Sequence, residues 1–216
     1  RLFLKYSSES NLKRIVLECG GKNPAVVMDD VEDIDLVAQH VVNGAFWNMG
    51  ENCSASSRLI VHSDIKDELL KRIQVHLGDW QMGDPLDPEN RLGSMISKAH
   101  FEKVRSYIEY AKDEKLDVLV GGNTSQNIFV EPTIVDGVGR ESRLFQEEIF
   151  GPVLSLIPVE DEEDAIRVAN DSNYGLSGSV LTHDVDAAYR IARRVRTGGV
   201  GQNGLRLDFG LPFGGF

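Results

Sequence analysis

The strongest constraint on the fold is the spacing of short apolar runs. Residues 14–18, 25–28, 58–62, 118–120, 153–159, 177–182 and 199–202 are rich in Val, Ile or Leu and are bounded by Gly, Asn, Asp or Pro, which is how strands read in sequence. Several are apolar throughout instead of alternating, as strands covered on both faces are. Segments of helical period lie between them. Residues 35–48 place Leu36, Val37, Val41, Ala45 and Phe46 near one face, residues 63–80 have Ser63 as a candidate cap, and residues 97–115 carry Phe101, Val104, Ile108 and Ala111 at spacings of three and four. Residues 161–170 and 184–196 follow strands in the same way. This alternation predicts an α/β fold, a mainly parallel sheet with flanking helices. The turn-rich stretches 83–88 and 121–126 read as surface loops, so residues 1–216 are expected to form a single domain.

Charge and composition remove several function classes. Lys and Arg number 23 against 34 Asp and Glu, a net charge of −11, which opposes a nucleic-acid backbone or an anionic membrane surface. No apolar run is long enough to span a bilayer, and residues 1–10 lack the layout of a signal peptide. Neither a nucleic-acid nor a membrane partner is expected, and a cytoplasmic location is. With only Cys19 and Cys53, the chain is no disulfide scaffold.

Three segments can carry chemistry. In Asn48-Met-Gly-Glu-Asn-Cys53-Ser-Ala-Ser-Ser-Arg58 a helix ends in a glycine turn, a cysteine follows, and small residues then allow a new helical turn. A cysteine at a helix N-terminus gains thiolate character from the dipole, so Cys53 is a candidate nucleophile; the alternative is a small buried apolar side chain. In Leu17-Glu18-Cys19-Gly20-Gly21-Lys22-Asn23-Pro24, Glu18 ends an apolar strand. Desolvation there would raise its pKa and suit it to act as a base, while a surface pair with Lys22 is the plainer reading. In Phe145-Gln-Glu-Glu148-Ile-Phe150-Gly-Pro152, a carboxylate able to bind ribose hydroxyls stands beside an aromatic able to pack on a flat ring, and a solvated acidic turn accounts for the same residues.

Two patterns are set aside. Gly199-Val-Gly201-Gln-Asn-Gly204 matches the dinucleotide fingerprint as a string but lacks a strand before it and a helical pattern after it. The five histidines, His40, His62, His76, His100 and His183, have no metal-ligand spacing, so no metal is expected.

Taken together, Leu17–Pro24, Asn48–Arg58, Glu147-Glu-Ile-Phe-Gly-Pro152 and Pro212-Phe-Gly-Gly-Phe216 resemble, in order and separation, signature segments of the NAD(P)-dependent aldehyde dehydrogenase superfamily. The resemblance implies the family's catalytic domain, a small aldehyde as substrate, NAD or NADP as cofactor and a homo-oligomer. It assigns Cys53 as nucleophile and Glu18 as the base for the hydrolytic water, Glu148 to the nicotinamide ribose, and Phe150 to packing near that ring. Trp47, Asn52, Ser54 and Phe213 fall around the substrate tunnel by the same resemblance. The wording around Cys53 is similar to members acting on aminoaldehydes. Cys19 stands where the family usually has Leu and would put a second thiol near the nicotinamide. The family's dinucleotide-binding domain, oxyanion-hole Asn and oligomerisation strand have no counterpart here, so the chain is expected to be part of a longer protein and to turn over little by itself. Competing readings are a cysteine-dependent acyl transferase or hydrolase without nicotinamide, and a non-catalytic scaffold.

Overall fold

The structure, a computed structural model, describes residues 1–125, 127–204 and 210–215. Its helices are α1 (Leu2–Ser8), α2 (Ile34–Phe46), α3 (Lys66–Leu77), α4 (Lys98–Asp113), α5 (Arg143–Gln146), α6 (Glu162–Ala169) and α7 (Val185–Ala192). Its strands are β1 (Pro24–Val27), β2 (Arg58–His62), β3 (Gln81–Met82), β4 (Asn90–Leu92), β5 (Asp117–Val120), β6 (Thr133–Asp136), β7 (Val153–Val159), β8 (Ser177–Leu181) and β9 (Gly199–Gln202). Seven strands form one sheet in the order β5-β6-β7-β2-β1-β8-β9; β5 pairs antiparallel with β6, and the other neighbours are parallel. The α/β expectation is met.

The side-chain period of two explains why the strands read as continuous apolar runs. Val26, Ile60, Val135, Ile157 and Val180 face one core layer with Val104 and Ile108 of α4 and Ile191 of α7. Their neighbours Ala25, Val27, Leu59, Val61, Ile134, Leu156 and Leu181 face the other, against Val41 and Phe46 of α2 and Leu69 and Ile73 of α3. Helices therefore cover both faces of the sheet. No helix among the described residues is long and apolar enough to cross a membrane.

Several local expectations change. Residues 14–18 form no strand; they are irregular and mostly exposed and pair with no described strand, the sheet taking up the chain only at Pro24 of β1. Ser63 does not cap a helix: its hydroxyl donates to Glu160 across 3.3 Å, residues Ser63–Ile65 form a 3-10 turn, and α3 starts at Lys66. Leu36 is exposed, and α2 buries Val37, Ala38, Val41, Val42, Ala45 and Phe46. Strands β3, β4 and β6 and the short α5 lie outside the expected elements. The fingerprint-like Gly199–Gln202 is strand β9 itself, while Gln126 of the second expected loop, residues 205–209 that follow the fingerprint, and Phe216 of the last matched segment lie outside the described residues.

Candidate active site

Three of the expected site residues, Cys53, Glu148 and Phe150, come together at one edge of the sheet. Asn23 precedes β1, Cys53 precedes β2, Glu148 and Phe150 precede β7, and these strands are parallel neighbours, so the three loops emerge side by side at the strands' amino ends. In doubly wound sheets ligands usually sit at carboxyl ends; here the loops with chemistry occupy the opposite edge.

A kink delivers Cys53 to this edge. After α2, Asn48 and Met49 take left-handed conformations (φ 53° and 57°) and Gly50 follows at φ 67°. Any side chain on Gly50 would collide with the Gly151 carbonyl, so the cysteine loop and the Phe150 loop touch backbone to backbone. No helical turn follows Cys53, which overturns the dipole argument. Instead the Asn52 side chain accepts from Ser54 N–H at 3.0 Å and Ala55 N–H donates to the Asn52 carbonyl at 3.0 Å, a tight turn with Cys53 at its second position. The small residues after it are extended chain leading into β2. Cys53 is a half-buried free thiol with the Ser54 hydroxyl 4.0 Å from its Sγ; Cys19 is a free thiol exposed to solvent.

Asn23 fixes this turn from beneath. It is buried, and its Nδ2 donates to the carbonyls of Cys53 at 2.8 Å and Ala55 at 2.9 Å, while its Oδ1 accepts from Ser177 N–H at 3.0 Å. One side chain thus joins the loops before β1, β2 and β8. Gly21 packs directly on the Cys53 carbonyl, and its N–H donates to Glu148 Oε1 at 2.8 Å. Gly20, at φ 82°, must lack a side chain for the same reason: a Cβ there would stand 2.5 Å from Glu148 Oε2.

Glu18 differs from expectation. It is exposed on irregular chain, so the burial proposed to tune it is absent. Chain length keeps it close to the site, since three residues span at most about 11 Å and Gly21 touches Cys53. Glu148 and Phe150 are half-buried, and Phe150 holds φ 59°. Trp47, Asn52 and Ser54 line a cavity of about 320 Å³ between α2 and strands β1 and β8, with His40 and Ser179 among its other walls. Cys53 and Phe213 are not on that wall; Phe213 is half-exposed.

Two buried cations went unnoticed in the sequence. Arg58 donates to the carbonyls of Lys22 (2.9 Å), Val168 (3.1 Å) and Ala169 (2.8 Å), closing the C-terminal end of α6 and tying it to the Glu18 loop. Lys22 is buried with no hydrogen-bond partner at Nζ, and desolvation followed by the nearby Arg58 charge lowers its pKa to about 7, against the opposing pull of Glu148 and Glu147. At the other end of the sheet, Asp29, His62 and Asp64 bring one potential ligand atom each within 4.8 Å of one another, a cluster hidden by their separation in sequence.

Residues 2–216 match the aldehyde dehydrogenase family. The chain is 62% identical to aminoacetaldehyde dehydrogenase of Pseudomonas aeruginosa, a match covering all of this chain and 44% of that protein. Its fold superposes on betaine aldehyde dehydrogenase of Staphylococcus aureus solved with NAD+ at a TM-score of 0.91, 34% identical, covering 100% of this chain and 44% of that one. Against the aldehyde dehydrogenase KauB of Pseudomonas aeruginosa the TM-score is 0.94 at 40% identity, again covering 100% and 44%. The chain therefore spans less than half the length of the relatives it matches, and it belongs to the aldehyde dehydrogenase family.

Proposed function

We propose that the protein containing this chain oxidises a small aldehyde to its carboxylic acid with NAD or NADP, and that residues 1–216 are its single catalytic domain. The observation that carries this reading is the convergence of Cys53, the Glu18 loop and Glu148 at the amino ends of β1, β2 and β7, joined through Asn23 and Gly21. Cys53 Sγ, as thiolate, attacks the aldehyde carbon and forms a thiohemiacetal. The nicotinamide, when bound, supplies the hydride acceptor that leaves a thioester on Cys53. Glu18, in solvent reach, takes a proton from water; that water adds to the thioester carbon, and the acid departs as the thiolate is restored.

The donor set fits the cofactor. Glu148 keeps one oxygen on Gly21 N–H and has a second available as an acceptor for ribose hydroxyls, and Phe150 offers a half-exposed ring beside it. Trp47, Asn52, Ser54 and Phe213 are assigned to substrate, the first three on the wall of the cavity. We take the substrate to be an aminoaldehyde, supported by the relative named aminoacetaldehyde dehydrogenase and by a net charge of −11 that attracts cations. The protein is further proposed to be a cytoplasmic homo-oligomer. The exposed apolar side chains Leu2, Phe3, Leu4 and Tyr6 of α1 support a contact with the rest of the chain or with a second subunit.

The test is NADH formation by the full-length protein with aminoacetaldehyde, acetaldehyde and betaine aldehyde in turn. Preferred turnover of the aminoaldehyde is expected. Aldehyde-independent ester hydrolysis with no nucleotide reduction would favour the hydrolase reading.

A further inference from the structure

The catalytic loops are also tied through a residue that the mechanism above does not use. His100 stands in the first turn of α4, where Ser97 Oγ accepts from its backbone N–H at 3.2 Å and sets the helix start. Its Nε2 lies 2.6 Å from the Phe150 carbonyl and 3.4 Å from Glu51 Oε1. Both partners can only accept when Glu51 is ionised, so Nε2 carries the proton and donates. The imidazole also meets the Phe150 ring edge to face, centroids 5.9 Å apart at 75°. Phe150 is a bulky residue in the left-handed region, a conformation that persists only where surroundings hold it. Glu51, two residues before Cys53, is mostly buried, and its Oε1 also accepts from Ile96 N–H at 3.1 Å.

We infer that His100 is a positioning residue: its one donor holds the Phe150 peptide in its strained conformation and, through Glu51, fixes that peptide relative to the loop bearing Cys53. The assignment rests on the reading of Phe150 as the residue packing near the nicotinamide. It predicts that nucleotide binding and thiol exposure are coupled through α4, which also reaches the Phe150 loop where Lys103 Nζ donates to the Glu148 carbonyl at 3.0 Å and Tyr107 donates to Glu147 at 2.6 Å.

The test uses the full-length protein with the substitutions His100→Phe, which keeps a ring and removes the donor, and His100→Gln, which restores a donor near the position of Nε2. Two readouts are followed: the KM for NAD+ and the rate of Cys53 alkylation by iodoacetamide without nucleotide. H100F is expected to raise the KM for NAD+ about tenfold and to speed alkylation roughly threefold or more, with H100Q recovering most of both. Wild-type values in H100F, or equal impairment in H100Q, would overturn the assignment. If H100F fails to fold, Glu51→Ala replaces it: faster alkylation supports the tether, and an unchanged rate refutes it. If the wild-type protein reduces no NAD+, the proposed function fails, while the alkylation comparison still decides the tether.

Discussion

The side-chain amide of Asn23 donates to the main-chain carbonyl of Cys53 at 2.8 Å, so the peptide that follows the proposed nucleophile is held by a buried side chain thirty residues upstream. The same amide serves Ala55, and its oxygen serves Ser177. Three loops of the site thereby share one anchor.

Replacing Asn23 with Ala takes the side-chain partner from the Cys53 carbonyl and the Ser177 N–H, while the Ala55 carbonyl keeps the Ser57 N–H at 2.9 Å. A stability loss of about 2 kcal/mol is expected, from roughly 1 kcal/mol or more for each stranded group. Asn23→Asp fares no better, because it sets a carboxylate oxygen against the carbonyls of Cys53 and Ala55. Denaturant unfolding of the full-length protein measures the first effect, and slower turnover at unchanged aldehyde KM reports the misplaced cysteine.

Gly20→Ala probes the seat of Glu148. At φ 82° an alanine is strained by about 1 kcal/mol, and its Cβ would come within 2.5 Å of the Glu148 carboxylate, pushing it off Gly21 N–H. The KM for NAD+ is expected to rise about tenfold, with a much smaller change in the KM for aldehyde. Steady-state kinetics with each substrate varied in turn separates the two.

Lys22 gives the fold a defined pH dependence. Its burial lowers the ammonium pKa from 10.5 to about 7, so between these values the unfolded chain binds more protons than the folded one. Stability therefore rises with pH across that window, and below about 7 the cost of the buried charge is present in full. Lys22→Met removes the charge and keeps the apolar stem. It is expected to raise Tm by several degrees at about pH 6, with the gain fading as pH approaches about 10. Thermal unfolding of both proteins across that range checks the sign.

Arg58→Lys tests whether geometry or charge is what β2 needs at its first residue. A lysine ammonium cannot reach the three carbonyls of Lys22, Val168 and Ala169 that the guanidinium bonds in one plane, nor stack on Phe145, whose ring centre lies 5.0 Å away. A loss of about 2–3 kcal/mol is expected in denaturant unfolding, in spite of the conserved charge.

Much of this organisation is legible in the sequence where the signal is local. Val26, Ile60 and Ile157 sit in apolar runs whose length and punctuation mark strands, and Phe101, Val104 and Ile108 repeat with the period of α4. Residues 14–18 have the same composition but lack a neighbouring strand to pair with, so pairing overrides propensity there. Strand β6 carries little local signal, because Ile134 and Val135 are only two apolar residues behind Pro132. In the candidate site, residue type alone leaves Cys53, Glu18 and Glu148 open to plainer readings and the matched segments single them out, while Ser54–Ser57 mislead about local geometry: helix-competent small residues are drawn into extended chain by the pull of β2. Asn23, Lys22, Arg58 and His100 stayed hidden because their partners lie 30 to 154 residues away, or are absent, as at Lys22 Nζ.

The proposed chemistry requires that Cys53 carry the acyl group and Glu18 activate the water that removes it. The most direct measurement is rapid-quench mass spectrometry of the full-length Glu18→Gln protein mixed with NAD+ and aminoacetaldehyde. A single burst of NADH is expected, with a matching acyl adduct on the peptide containing Cys53 and steady turnover slowed by about a hundredfold or more. An adduct on another residue, or undiminished turnover with no burst, would contradict it.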